Sequence, residues 1–540
     1  MRSISALSRQ ALRILKLFGN ASPKWVKAMV GPEQEYFLVD RNLAALRPDL
    51  MLCGRTLTGA PSPKGQEMED HYFGAIPARV ISYMQDVERE LVALGIPAKT
   101  RHNEVAPGQF EIAPVYEDAN LACDHNMLTM NIMRHMAAKH GFICLMHEKP
   151  FAGVNGSGKH NNWSMSDSSG QNLLAPGATP QDNAQFLVFL AAVLRAVHKH
   201  SAALRLGTVS AGNDHRLGAN EAPPAILSVY LGEQLTEVLE NIISGAHGHD
   251  KKKAVIEIGV STLPALPADL SDRNRTSPFA FTGNKFEFRA LGAANSIAPV
   301  NIALNAAVAS ALDEIATMLE GALAGGATLN DALAELLPRL FKEHLPVVFN
   351  GNGYASSWPE EAKERGLVNY PDTVTALEHY TDPEVMEVFL GNGILTEREI
   401  IARQEILLEN YSKTVLIEAS TLVNMIRTQI LPACMQAESS AADALLKVKE
   451  VLGERDAQTE NTYFSTLHGH ITSLSQACHK LEETMQHASS ISDAHAQARA
   501  VRDNVIPLMN ECREHADQLE RIVDDSLWPL PKYSELLWIH

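Results

Sequence analysis

The run from Gly31 to Val39, polar through Glu35 and apolar after it, is strand-like, and because side chains alternate along a strand Glu33 and Glu35, two apart, share one side while Tyr36 and Leu38 can face a core. The pattern predicts a strand presenting two carboxylates on one surface. In Asn103–Glu111, Pro107 and Gly108 have the chemistry of central turn residues, since Pro presets the first dihedral and Gly accepts a positive φ at the second. A hairpin about them pairs Ala106 with Gln109 and Val105 with Phe110, which sets Glu104 opposite Glu111. Like charges opposed across strands are destabilising, so a cationic group is expected between them. In Lys285-Phe286-Glu287-Phe288-Arg289 the two phenyl rings fall on one face and the charges on the other, so Glu287 reaches outward from a buried strand.

Helical spacing appears between these strands. Residues 183 to 204 and 297 to 321 carry apolar faces, and Leu7, Ala11, Ile14 and Phe18 make another near the start. The first 32 residues hold Arg2, Arg9, Arg13, Lys16, Lys24 and Lys27 and no acid, the composition of a transit peptide. The apolar face favours a helix of the folded domain instead. After about residue 440 the character changes. Leu467, Ile471, Leu474, Cys478, Leu481 and Met485 keep a heptad rhythm, and Val501, Val505, Leu508, Cys512, Leu519 and Ile522 nearly continue it, predicting two antiparallel helices with a kink at Pro507. The chain is therefore expected to be α+β, with a mixed helix-and-strand region over 1–440 and a helical region over 441–540. Loops are expected at 166–182 and 245–253. His247, His249 and Asp250 read as part of a solvated loop because Lys251 to Lys253 follow directly.

Composition narrows the classes. With 540 residues and 45% hydrophobic content, two or three cores can form. A formal charge of −18 argues against nucleic acid and anionic membrane as partners. Cys53, Cys123, Cys144, Cys434, Cys478 and Cys512 are scattered without a C-x-x-C pair, which suggests neither zinc nor a disulfide framework and fits a reducing, cytoplasmic compartment. The longest apolar run, Phe186 to Leu194, is closed by Arg195 and is too short to span a bilayer.

The chemistry concentrates in five carboxylates and one imidazole: Glu33, Glu35, Glu104, Glu111, Glu287 and His160. His160 ends the run Asn155-Gly156-Ser157-Gly158-Lys159-His160, whose glycines permit close backbone approach to a ligand. The run is not a phosphate loop, because Lys159 is followed by His160 rather than Ser or Thr. Oxygen-rich ligation suits Mg²⁺, and one imidazole also admits Mn²⁺. Neutralising five carboxylates takes at least two divalent ions, so two or three per site are expected in an enzyme that uses ATP.

The ordered set G-P-E-Q-E-Y, N-E-V-A-P-G-Q-F-E, N-G-S-G-K-H-N-N-W-S, N-D-H-R-L-G-A-N-E-A-P-P, D-R-N-R-T-S-P-F and K-F-E-F-R resembles glutamine synthetase, and the Lys-His-Asn-Asn-Trp-Ser ending with the long C-terminal region resembles its type III class. The resemblance runs from about residue 5 to the end. It implies a catalytic domain built on a curved antiparallel sheet with helices, and ligation of ammonia to the side-chain carboxylate of L-glutamate, driven by ATP through a γ-glutamyl phosphate. It further implies that Glu35, Glu104 and Glu111 hold one metal and that Glu33, His160 and Glu287 hold a second. By the same resemblance Arg216 grips a glutamate carboxylate, Asn155 and Gly156 receive the substrate's amino end, and Asn162 and Ser164 lie on the nucleotide side. Glu221 belongs to a mobile flap and helps deprotonate ammonium. Arg275 and Arg289 neutralise the transferring phosphoryl group, with Arg273 an alternative to Arg275.

The family assembles as homo-oligomers of hexameric rings, singly or as dodecamers. It also carries an N-terminal β-grasp domain that completes the neighbouring subunit's active site. That domain is expected to be missing here, leaving a chain that binds metal and nucleotide but makes little glutamine alone. Two alternatives stand beside the main reading: a γ-glutamyl ligase for another amine, and a non-catalytic subunit of a glutamine synthetase assembly.

Overall fold

The computed structural model of the chain describes residues 1–219, 222–245 and 276–539, and the backbone of 255–256 and 266–267. Its strands are β1 (Val26–Asp40), β2 (Ala98–Asn103), β3 (Gln109–Pro114), β4 (Glu117–Asp118), β5 (Phe142–Leu145), β6 (Lys159–Asp167), β7 (Val229–Tyr230), β8 (Val255–Ile256), β9 (Leu266–Pro267), β10 (Phe279–Phe281) and β11 (Phe286–Phe288). Among the described residues nine of them form one sheet in the order β2-β3-β1-β6-β11-β10-β7, with β4 and β5 also on β1, while β8 and β9 pair separately. The expected antiparallel sheet is found except that β7 runs parallel to β10. The α+β class holds.

The 15-residue β1 organises the sheet. Its first half pairs with β6, from Val26 opposite Asp167 to Gln34 opposite Lys159, and its second half pairs with β3 and then β5. Alternation decides which side of β1 meets which core. Tyr36 and Leu38 join Phe110, Ile112 and the helices Ala78–Ala93 and Ala119–Lys139 in one apolar cluster. Phe37 and Val39 join Ala106, Phe151 and Tyr533 in another. The largest cluster reaches from Leu7 through the helices Ala184–Leu206 and Ala298–Ala324 to Leu530.

The helix Arg2–Leu17 is folded, with Leu7, Ala11 and Ile14 fully buried. Two of its basic residues make ion pairs, Arg2 with Glu399 at 2.6 Å and Arg13 with Glu320 at 2.7 Å and with Asp313. The nine-residue apolar run 186–194 turns out to be part of the 23-residue helix Ala184–Leu206. That helix and Ala298–Ala324 are both long and apolar enough to cross a membrane, but most of each is buried inside the protein, which accounts for their composition. The C-terminal heptads form the helix Gln458–Ser489 against Ala494–Ala500, a π-helical turn Val501–Val505 and the helix Ile506–Ile522. Antiparallel packing follows from the partners Gln497 with Ala488, His470 with His515, and Tyr463 with Ile522. Pro507 directly follows the π-helical turn, inside an uninterrupted helical run from Ala494 to Ile522. All six cysteines are free thiols.

The hairpin register differs from the sequence expectation. Gln109 N–H does close a turn onto Ala106 O at 3.0 Å, with Gly108 at φ 74°. The amide of Ala106, however, donates to the Gln109 side chain at 3.3 Å instead of entering the ladder. The ladder instead continues to Glu104, whose N–H donates to Gln109 O at 2.9 Å, so the loop spans the four residues 105–108 and the register is Asn103 opposite Phe110 and His102 opposite Glu111. His102, not Glu104, faces Glu111.

Candidate active site and metal centre

One face of the sheet collects the acidic residues. On β1 the odd positions 33 and 35 point the same way. Glu33 is directly opposite His160 on β6, Glu35 is opposite Glu111 on β3, and Glu287 on β11 is opposite Asn162. Phe286 and Phe288 are fully buried, so β11 holds Glu287 outward as its alternation requires. His160 is the hub. Its Nδ1 lies 3.2 Å from Glu33 Oε2 and 3.3 Å from Glu287 Oε1, and its Nε2 lies 3.5 Å from Glu35 Oε1. Lys159, the next residue back, turns the other way and its ammonium reaches Asn126 at 2.9 Å in the core.

Ligand atoms come together in three groups that could each hold a metal ion: Glu33, His160 and Glu287; Glu35, Glu111 and His160; and His102, Glu104 and Glu111. The first group matches one expected ligand set. In the other region Glu104 groups with His102 and Glu111, a consequence of the hairpin register. His102 bridges the two carboxylates, 3.0 Å from Glu111 and 3.5 Å from Glu104, and is the cationic group expected between them.

Protonation shows how strongly this face wants positive charge. Burial pushes Glu104 up to about 8, and Glu35 and Glu111 reinforce the shift. Burial also raises Glu111, partly offset by His102. Burial and Arg289 pull His160 down, but Glu287, Glu33 and Glu35 outweigh them and raise it to about 10. Burial would raise Glu287, yet His160 and the nearby cations hold it down at about 2. His102 rises to about 9, chiefly through Glu111. A buried Glu104 that keeps its proton near neutrality, beside imidazoles held cationic by neighbouring carboxylates, marks a face that fits hard divalent cations by charge and by donor type.

The glycine-rich run serves the protein's own side chains. A Cβ on Gly158 would lie 2.2 Å from Arg216 Nη2, and one on Gly156 would lie 2.4 Å from Glu148 O. The close approach expected toward a ligand is thus an approach to Arg216. Gly158 N–H donates to Glu35 Oε2 at 2.7 Å, and Gln109 Nε2 donates to Gly156 O at 3.0 Å, so the loop is tied to two carboxylate strands. Arg216 is buried, donating to the carbonyls of Leu291 and Arg289 at 3.3 and 3.2 Å. Asn155 exchanges two hydrogen bonds with Gln66, at 2.9 and 2.8 Å.

Asn162 donates to Glu33 at 2.9 Å and to Gly31 O at 3.0 Å, and its carbonyl accepts from Lys285. Ser164, two residues on, donates to Asn172 at 2.8 Å. Arg289 lies 3.6 Å from Glu287. Glu221, Arg273 and Arg275 lie outside the described residues, as do His247, His249, Asp250 and Lys251 to Lys253.

Sequence reasoning missed His102, Gln66 and Glu148. His102 had a signal, two residues before Glu104, that the wrong register hid. Gln66 had none, since its partner is 89 residues away. Glu148 is buried, burial raises it, and it accepts from Ala294 N–H at 3.2 Å while its backbone carbonyl accepts from Ser157 N–H at 2.8 Å.

Comparison with known proteins decides the family. The family model for the glutamine synthetase catalytic domain matches residues 9–224, and that for the glutamine synthetase C-terminal domain matches 332–449. A type-3 glutamine synthetase of Dictyostelium discoideum is 45% identical over 547 aligned residues, covering 100% of this chain and 74% of its own. The chain belongs to the glutamine synthetase family. Glutamine synthetases of Bacteroides fragilis and Butyrivibrio fibrisolvens are each 43% identical, again across this whole chain and over 75% and 76% of theirs. The glutamine synthetase of Plasmodium falciparum, solved by cryo-electron microscopy, aligns over 58% of this chain and 56% of its own with 16% identity and a TM-score of 0.38.

Proposed function

We propose that this glutamine synthetase family chain joins ammonia to the side-chain carboxylate of L-glutamate, with ATP consumed and ADP and phosphate released. The observation that carries the reading is the convergence of Glu33 and Glu35 from β1 and of Glu287 from β11 on His160 of the strand between them, beside a buried arginine. Glu33, His160 and Glu287 would hold one Mg²⁺ or Mn²⁺, and Glu35, Glu104 and Glu111, with His102 beside them, would hold another. When bound, such ions lend positive charge to phosphate oxygens.

A carboxylate is a poor acylating agent, so it must first be activated. Its oxygen attacks the γ-phosphorus of ATP, the bond to ADP breaks, and γ-glutamyl phosphate forms. Ammonia then attacks the acyl carbon and phosphate leaves with that same oxygen. Arg216 would hold glutamate through a two-pronged contact with a carboxylate, and Asn155 and Gly156 would receive its amino end. Arg289 would offset the phosphoryl charge as it is transferred. Asn162 and Ser164, further along β6, would border the nucleotide. Glu221 would take a proton from ammonium, and Arg275 would assist Arg289. A cytoplasmic homo-oligomer, built as family rings, is the setting we propose on the resemblance.

Phosphate release by the full chain, with ATP, glutamate and Mg²⁺ or Mn²⁺, tests the reading. It should require glutamate and be greater with ammonium than with methylamine, ethanolamine or a diamine. A clear preference for an organic amine would replace ammonia as the substrate, and release independent of glutamate would overturn the proposal.

A further inference from the structure

The last residues of the chain are woven into the loops that carry the substrate residues. Tyr533, in the short helix Tyr533–Leu536, is 1% exposed. Its hydroxyl lies 2.5 Å from Thr56 Oγ1 and accepts from Ala152 N–H at 3.1 Å and from Arg513 at 2.9 Å. Thr56 in turn donates its hydroxyl to Pro150 O at 2.8 Å, so the Tyr533 hydroxyl is the donor toward Thr56. Every proton in this set has one acceptor. The Tyr533 ring packs edge-on against Phe151 with centroids 5.2 Å apart, and it occupies the space a side chain on Gly59 would need.

These contacts fall on the two chain segments that lead to Asn155 and to its partner Gln66. Phe151 and Ala152 lead into Val154, Asn155 and the glycine-rich run. Thr56 and Gly59 lead to Gln66, which holds Asn155 through two hydrogen bonds. Beyond Tyr533, the carbonyl of Leu537 lies against Gly108, 3.1 Å from where a Cβ would stand, at the turn that follows Glu104. Trp538 lies under the Lys64 ammonium at 4.8 Å. Upstream, Pro531 O accepts from the buried Arg47 at 3.0 Å.

We propose that the C-terminal segment is a latch on the glutamate subsite, with Tyr533 as a positioning residue that fixes the Pro150–Gly156 loop. Tyr533 touches none of the residues assigned to substrate, so it acts through Ala152, Thr56 and the Gln66–Asn155 pair. Nucleotide-side residues Asn162 and Ser164 lie on β6, within the sheet, and do not depend on it. The assignment rests on reading Asn155 and Arg216 as the glutamate subsite.

The test compares full-length wild type with Tyr533→Phe, Thr56→Val and, as a control for general destabilisation, Leu474→Ala in the C-terminal helix pair. The readouts are the KM for glutamate, nucleotide affinity, thermal midpoint and amide hydrogen exchange across 150–156. Tyr533→Phe should raise the glutamate KM about tenfold, the scale of losing one or two hydrogen bonds in a buried network, while nucleotide affinity stays within about twofold. It should also speed exchange at Ala152, whose amide the tyrosine accepts. Thr56→Val should move the same quantities less, and it carries the test if the tyrosine variant does not fold. Leu474→Ala should lower the midpoint and leave both untouched. Unchanged exchange at 150–156, or parallel losses of glutamate and nucleotide affinity, would overturn the latch. If wild type shows no glutamate-dependent reaction, the subsite reading fails, and the exchange measurement alone decides the latch.

Discussion

His160 and Glu104 sit in different metal-capable groups, so their removal should damage different ions. His160→Ala and Glu104→Gln are each expected to cut acyl phosphate formation by about 10²- to 10³-fold, the range lost with one preorganised charge-stabilising group. Near wild-type phosphate transfer in both at ordinary Mg²⁺ would contradict the two-ion assignment. Arg216→Ala should weaken glutamate binding by about ten- to a hundred-fold, since a charge-assisted contact contributes roughly 1.5 to 3 kcal/mol, and leave nucleotide binding nearly intact. Calorimetry showing equal losses for both ligands would place this arginine elsewhere. At this scale the carboxylates were readable because a strand's alternation is local: Glu33, Glu35 and Glu287 each needed only their immediate neighbours. His102 needed the register, and Gln66 needed the tertiary fold.

Among the elements, the helix Ile506–Ile522 carries a buried acid that should make stability depend on pH. Burial raises Glu520 from an ordinary 4.5 to about 7, Arg47 counteracts and Asp517 adds to the rise. Between those values the native state keeps a proton that the unfolded chain has lost. This contribution is therefore fully present below about 4.5 and is lost as pH rises through about 7. Glu520→Gln should leave the thermal midpoint at pH 5 almost unchanged and raise it at pH 8 by about 2 °C, given the entropy of unfolding a chain this long. Scanning calorimetry at the two pH values checks this, and equal shifts at both would refute it. The helices themselves were legible from periodicity, down to the buried seam Leu467, Leu474, Leu481, Val501, Val505 and Cys512. The hairpin was half legible. Turn chemistry located Pro107 and Gly108, but the ladder closes where Glu104 N–H donates to Gln109 O, with four loop residues instead of two, and no local pattern announces that length.

Across the whole molecule, one long strand supplies two carboxylates on one face while its later apolar residues feed a core on each side. Distant parts of the chain pack around that face: β11 from beyond residue 280, and the last helix against Phe151 and Ala152, which lead into the glycine-rich run. The α+β class followed from alternating periods in the sequence, and the motif order gave the family. The C-terminal contacts could not be read, because their partners lie hundreds of residues apart, as Tyr533 and Thr56 do. The proposed division near residue 440 leaves the second region a bracing role. The central claim is that glutamate is activated by phosphorylation at this face of the sheet. It is tested most directly with L-glutamate carrying heavy oxygen in both side-chain carboxylate positions, incubated with ATP, ammonium and Mg²⁺. The released phosphate is then analysed by mass spectrometry. One heavy oxygen per phosphate is expected, because the carboxylate oxygen that attacks phosphorus leaves with it. Phosphate containing only light oxygen would contradict the account.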